Sequence, residues 1–356
     1  MPTSDGAGGA RPPGQAIDAH QHFWRYDPIQ YDWIDASMSA IRRDFLPPDA
    51  RGEMERAGVR GSVAVQARQT LDETRWLLDL AREHPFILGV VGWIDLQQDV
   101  DAQLARFAND RALVGVRHVV QSEPDGFLQR PQVLAGMARL QPAGLAYDIL
   151  VYARQLPQAI ELARRFPRQR FVLDHLGKPD VRGGARHAWQ RQLRELAALP
   201  HVCCKLSGLV TEADWRAWTP GQLRPWLDAA LDAFGPDRIM IGSDWPVCLV
   251  AARYAEVIAL VRDAIGEYSA FEQRRMLEGT AAGFWNLGAS PWRRKPRRRN
   301  AKARRRTRKR EDTGKPQEGP EATGHELKRA AATGAGTRSG YTQARVASAF
   351  RRKHLR

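Results

Sequence analysis

Eight short apolar runs, separated by longer stretches of helical periodicity, constrain this chain more than any other feature of its sequence. The runs are Ala16–Ala19, Gly61–Val65, Ile87–Trp93, Val114–His118, Ala146–Val151, Phe171–Asp174, Val202–Leu206 and Ile239–Gly242. Apolar, β-branched stretches of this length fit strands buried on both faces, the condition of parallel strands joined by crossover helices. The pattern predicts helices over Leu71–Glu83, where Leu77, Leu78, Leu80 and Ala81 share a face, and over Asp101–Ala108, Gln132–Leu140, Leu156–Phe166, Trp189–Leu199 and Pro225–Phe234. A closing helix pair, Ala252–Ile265 and Ala270–Leu287, follows the eighth run. This α/β alternation fits a (β/α)8 TIM barrel, which commonly needs ~250 residues, better than an open doubly wound sheet. Neither G-x-G-x-x-G nor G-x-x-x-x-G-K-[ST] follows any run, so a dinucleotide or P-loop nucleotide site loses its main support.

The net charge of +15 would point toward nucleic acid if it were spread over the barrel. It is not: residues 292–356 hold 22 Lys and Arg against five Asp and Glu, while residues 1–291 hold 33 against 35. We therefore expect a flexible N-terminus over 1–14, a barrel over 15–288 and a basic low-complexity tail over 289–356. Runs such as Arg293-Arg294-Lys295 repel themselves and bury no apolar area, which predicts disorder. Counterion release would let such a tail touch nucleic acid or another polyanion, but without interleaved aromatics it offers little selectivity. No apolar run approaches the ~20 residues that span a bilayer, and Met1–Gln15 lacks a signal peptide's charged start and apolar stretch, so the expectation is a cytoplasmic protein with no membrane contact. Cys203, Cys204 and Cys248 form no C-x-x-C pair and read as reduced core thiols.

In a barrel, chemistry gathers at the C-terminal ends of the strands. There the sequence places His20 and His22 after the first run, Arg117-His118 after the fourth, His175 and Lys178 after the sixth, Lys205 in the seventh and Asp244-Trp245 after the eighth. Two residues apart on a strand, His20 and His22 project to one side. Before the tail only two of the 33 basic residues are lysines, Lys178 and Lys205, and both lie at strand ends. That bias marks positions where a compact ammonium is needed, as for an oxyanion, hydroxyl or carboxylate. Asp244 is the best general-base candidate, either ligating a metal or taking a proton from water directly. Trp24, Trp33, Trp93 and Trp245, near the strand ends, are candidate plates for a sugar face.

The segments IDAHQHFW (17–24), GVRHVVQ (115–121), FVLDHLGKPD (171–180), CKLSGL (204–209), IMIGSDWPV (239–247) and LEGTAAGFWNL (277–287) resemble the amidohydrolase-related family (amidohydrolase family 2). Within it they are most similar to the sugar-lactone hydrolases that include L-fuconolactonase and L-rhamnonolactonase. The resemblance implies a carboxylic ester hydrolase of carbohydrate catabolism that opens the cyclic ester of a sugar acid. Position by position, the resemblance matches His20 and His22 to the first-strand H-x-H, His175 to the sixth-strand histidine and Asp244 to the eighth-strand aspartate; the mechanism we expect adds Lys205 to these for catalysis and sets Arg117, His118, Lys178 and the four tryptophans to hold substrate. The fifth run, YDILVY, offers no histidine, and Arg117-His118 stands where a binuclear enzyme would carry a bridging lysine, so a two-metal site is incomplete. His20, His22, His175 and Asp244 remain as ligands for one divalent cation, zinc by preference, and a metal-free route in which positive side chains act as the electrophile is equally open. Rival readings are a metal-dependent decarboxylase or amide hydrolase on the same barrel, and a non-catalytic polyanion-binding protein acting through the tail. Sugar, ring size and oligomeric state are not legible.

Overall fold

The computed structural model describes residues 15–287; the expectations for residues 1–14 and for the tail lie outside the described residues. Eight strands, β1 (Ala16–Gln21), β2 (Val59–Val65), β3 (Ile87–Gly92), β4 (Leu113–His118), β5 (Ala146–Ile149), β6 (Phe171–Leu173), β7 (Val202–Leu206) and β8 (Ile239–Ile241), form one sheet in sequential order. Every neighbouring pair is parallel. A single parallel bridge between Gln21 and Trp245 brings β8 back to β1 and nearly closes the barrel. The helices are α1 (Pro47–Arg56), α2 (Leu71–Glu83), α3 (Val100–Ala105), α4 (Pro131–Leu140), α5 (Leu156–Arg165), α6 (His187–Ala197), α7 (Pro220–Phe234), α8 (Tyr254–Ala264), α9 (Ala270–Arg274) and α10 (Thr280–Trp285). No helix among the described residues is long and apolar enough to cross a membrane, and all three cysteines are buried and free.

Three departures from the expected elements have local causes. Helix α1 escaped the periodicity because it buries only Pro47, Ala50 and Met54. It starts instead on a Pro-Pro pair, where a missing N–H costs nothing, with Asp49 accepting the Leu46 N–H at 2.8 Å. Helix α7 begins at Pro220, not Pro225, because the Thr219 side chain caps it through the Gln222 N–H. The expected closing helix Ala270–Leu287 is interrupted by a π-helical turn, Arg275–Gly279, whose Glu278 pairs with Arg60 of β2 at 2.6 Å.

The barrel interior has two layers. Ile17, Ala19, Val63, Val65, Val91, Val114, Ala146, Val172, Cys203 and Met240, drawn from all eight strands, pack with Ala281, Ala282 and Trp285 of α10 and with Leu287. Helix α10 thus makes an apolar floor under the N-terminal ends of the strands. Side chains two residues further along share the same face, so Asp148 follows Ala146, Asp174 follows Val172 and Lys205 follows Cys203. The interior turns from apolar to charged within one residue pair, and all three charged groups are fully buried.

Candidate active site

A register irregularity aims the first histidine. Asp18 pairs with Ser62 but Gln21 with Ala64, so β1 carries one extra residue, a bulge. Ala19 and His20 consequently both face the interior, an orientation simple alternation does not predict. Asp18 fixes the bulge: its Oδ1 accepts the His20 N–H at 3.1 Å and the Ser243 N–H at 2.9 Å, while the Tyr254 hydroxyl donates to Oδ2 at 3.1 Å. Burial pushes the Asp18 carboxyl up to about 6 against these hydrogen bonds. The loop after β8 zips onto β1, with the Asp244 N–H donating to His20 O at 2.8 Å and the His22 N–H to Trp245 O at 2.7 Å. Asp244 takes a left-handed φ of 58° to make this turn. At Gly242 a Cβ would stand 2.8 Å from the His20 Cβ, so only glycine fits beside the ring.

Around Asp244 Oδ1 three imidazoles converge: His22 Nε2 at 3.3 Å, His20 Nε2 at 3.7 Å and His175 Nε2 at 3.9 Å. His175 arrives on a tight left-handed turn after β6, with φ of 53° at His175, 55° at Leu176, 70° at Gly177 and 44° at Lys178. Its Nδ1 lies 2.9 Å from Ser207 Oγ, and Gly208 lets it pack, since a Cβ there would meet Nδ1 at 2.4 Å.

Behind His20 lies an ion network. Arg117 NH1 reaches His20 Nε2 and Asp174 Oδ2, each at 3.2 Å. Gln66, at the end of β2, grips Arg117: its backbone and side-chain carbonyls accept from NH2, and its Nε2 donates to Arg117 O at 3.2 Å. Lys205 Nζ is held by Asp148 Oδ2 and by Asp174 Oδ1 at 2.9 Å, and lies 3.1 Å from His20 Nδ1. The lysine therefore sits on the far side of the His20 ring from Asp244. There it packs against His20 from behind.

Burial depresses all three imidazoles, His175 to about 4, against the pull of Asp244 or Asp174; Lys178 and Arg117 add to the depression at His175. Burial would raise Asp244, but His175, His22 and His20 outweigh it and hold the carboxyl below its ordinary value. Asp174 is likewise held well below its ordinary value, as Lys205, His20 and Arg117 overcome burial. Asp148 goes the other way, up to about 7, because burial and Asp174 oppose Lys205. Neutral imidazoles beside an ionised Asp244 are what a cation site requires.

The donor set fits such a cation. His22 Nδ1 lies 2.8 Å from Val65 O and so carries the proton, leaving a lone pair on Nε2. With its Nδ1 proton directed at Asp174 Oδ1, 3.4 Å away, His20 also presents a lone pair on Nε2, and the two lone pairs face each other at 3.2 Å with Asp244 Oδ1 beside them. The ligand atoms of His20, His175 and Asp244 all lie within 4.8 Å of one another, and His22 stands alongside. Bound there, a divalent cation would polarise an ester carbonyl and a water molecule.

Other expected site residues are placed differently. Trp24 is fully buried, donates to Arg43 O at 2.9 Å and packs among Tyr31, Trp33 and Phe45, and Trp245 is packed against Phe23 and Phe45. Both are buried among residues of the segment that follows β1. Trp33 is half-buried, edge-on to Trp24. His118 stacks on Phe127 at 4.6 Å, with Nδ1 3.2 Å from the Trp93 Nε1 donor and Nε2 3.0 Å from Glu123 Oε1. Both of its ring nitrogens are thus engaged within the protein. Lys178 lies at the rim, its Nζ 3.6 Å from Glu212 Oε1 and 5.8 Å from the centre of the Tyr152 ring. Sequence reasoning missed Gln66 and Glu212, which lie in no quoted segment, and gave no role to Ser207 and Asp148 although CKLSGL (204–209) and YDILVY (147–152) contain them.

Comparison with known proteins agrees with this architecture. The amidohydrolase family profile matches residues 17–287. An L-fucono-1,5-lactonase of Burkholderia multivorans is 47% identical over 283 residues, covering 76% of this chain and 96% of that protein. A second L-fucono-1,5-lactonase, from Burkholderia ambifaria, is 41% identical over 67% of this chain and 83% of its own. A crystal structure of an amidohydrolase from Burkholderia multivorans with bound zinc superposes with a TM-score of 0.74 at 45% identity, covering 77% of this chain and all of the other. A barrel whose charged rim is built from β1, β4, β6, β7 and the loop after β8 belongs, in this chain, to the amidohydrolase family.

Proposed function

We propose that the protein is a carboxylic ester hydrolase that opens the lactone of a sugar acid, of the L-fucono- or L-rhamnono-lactone class, and releases the open-chain acid. The observation that carries this reading is the Asp244 carboxylate oxygen set within 3.9 Å of three imidazole nitrogens, in a chain so similar to an L-fucono-1,5-lactonase along nearly that protein's whole length. Water adds its oxygen to the lactone carbonyl carbon while Asp244 takes its proton. Arg117, a permanent positive charge beside His20, offsets charge that develops on the carbonyl oxygen. Collapse breaks the bond to the ring oxygen, and the proton passes to that oxygen through Asp244 or His175. His20, His175 and Asp244, with His22, are the residues we assign to one divalent cation, zinc by preference. Lys205 keeps His20 in place, with Asp148 and Asp174 holding the lysine.

The test is proton release, followed with a pH indicator, from a panel of aldonolactones with the full chain, before and after treatment with a chelator. Release above the spontaneous rate from L-fucono- or L-rhamnono-lactone supports the reading, and loss with chelator, restored by zinc, supports the cation assignment. No release from any lactone with zinc supplied overturns it.

A further inference from the structure

Four consecutive left-handed residues are an expensive way to leave a strand. His175, Leu176 and Lys178 carry side chains at φ of 53°, 55° and 44°, a conformation that crowds each Cβ against the following carbonyl oxygen, and such strain persists where the surroundings impose it for function. The turn is closed by the Lys178 N–H donating to His175 O at 2.8 Å and locked by the Trp189 indole donating to Leu176 O at 2.8 Å. Residues three apart in so tight a turn share a face. The turn thus presents Lys178 on the same side as His175, whose Nε2 faces Asp244. From the next strand's loop, Glu212 brings its carboxylate to 3.6 Å from the ammonium, and both side chains are more than nine-tenths buried. Tyr152, after β5, lies beneath the ammonium.

This pairing discriminates between ligand chemistries. A substrate carboxylate approaching Lys178 would meet the like charge of Glu212, already balanced by the lysine. A ring carrying two neighbouring hydroxyls meets no such penalty, since one hydroxyl oxygen accepts from the ammonium and the adjacent hydroxyl donates to the carboxylate. We infer that Lys178 and Glu212 form one paired subsite that reads two adjacent hydroxyls of an uncharged lactone ring and rejects lactones bearing a ring carboxylate. Glu212 is thereby a specificity-determining residue. The inference rests on the lactonase reading and narrows its substrate class.

The experiment compares wild type, Glu212→Gln, Glu212→Asp and Lys178→Met, as full chains, on L-fucono-lactone, on analogues of it each lacking one ring hydroxyl, and on a lactone with a ring carboxylate. For wild type, removal of either hydroxyl of one adjacent pair should lower kcat/KM roughly ten- to hundredfold, mostly through KM. Glu212→Gln should lose a similar factor on the full substrate and little on the analogue lacking the hydroxyl it reads, with partial recovery in Glu212→Asp. Glu212→Gln should also bind the carboxylated lactone as a competitive inhibitor where wild type does not. Equal losses on every analogue would make Glu212 merely structural and overturn the inference, as would tight binding of the carboxylated lactone by wild type. If a variant fails to fold, the wild-type hydroxyl series still decides. Absence of any lactone hydrolysis by wild type defeats the parent reading, a different result from uniform hydrolysis of all analogues, which defeats this one alone.

Discussion

The two ends of the barrel are built on opposite physical terms. The floor is apolar: residues from all eight strands close against Ala281, Ala282, Trp285 and Leu287, and burial of apolar area stabilises it at little polar cost. One residue pair higher, Asp148, Asp174, Arg117, Lys205 and three histidines are buried nearly as deeply. Ions so placed repay their desolvation only where partners are close and well aimed. Trp285 marks the border, its ring 5.2 Å below the Lys205 ammonium. The floor is held by apolar burial alone, whereas the mouth carries the chemistry and holds groups whose ionisation the fold distorts.

Substitutions at each end should break this comparison if it is mistaken. The largest effect is expected at the mouth: Asp244→Asn should lower kcat about 10³-fold or more while the urea midpoint moves little. A variant that keeps most of the lactonase rate would remove Asp244 from the role of base. At the floor, Leu287→Ala should cost about 2–4 kcal/mol in urea unfolding through the cavity it leaves, with kcat/KM at low temperature nearly unchanged. A parallel collapse of activity would show that floor and mouth are not separable. Gly208→Ala tests how finely the mouth is aimed: its left-handed backbone and a Cβ 2.4 Å from His175 Nδ1 should displace the ring. We expect roughly ten- to hundredfold loss in kcat/KM, readable beside a shift in the His175 NMR resonance.

The smallest effect concerns pH. Glu73, at the start of α2 and fully buried, accepts the Ala67 and Arg68 N–H groups, yet burial still pushes its carboxyl up to about 7 from an ordinary 4.5. The folded chain therefore keeps a proton the unfolded chain has released. Its contribution is fully present below the ordinary value and is lost as pH rises from about 4.5 to 7. Glu73→Gln should flatten that decline by on the order of 1–2 kcal/mol in urea midpoints taken across the window. An unchanged slope would assign the pH dependence to other buried carboxyls, Asp148 first among them.

Much of the barrel was legible in the chain because parallel strands buried on both faces must be apolar throughout, and the helices covering them must carry an apolar stripe. The same logic made His20, His175, Lys205 and Asp244 visible, since polar residues ending such runs have few bland explanations when they recur on strand after strand. Helix α1 was hidden because its stripe is thin, and the start of α7 because Thr219, not Pro225, caps it. The burial of Trp24 and Trp245 was not legible because an aromatic near a strand end reads alike whether it faces a ligand or lies under a loop.

By itself, then, the sequence determined the order and number of strands and the kind of chemistry gathered at their ends, for these depend on periodicity along the chain. Only the tertiary structure decided that a bulge turns His20 inward, that Lys205 stands behind that ring, that Gln66 grips Arg117 and that Glu212 answers Lys178. Each of those facts depends on groups distant in sequence meeting in a space from which water is excluded, where a partner a few ångströms away sets charge, tautomer and aim.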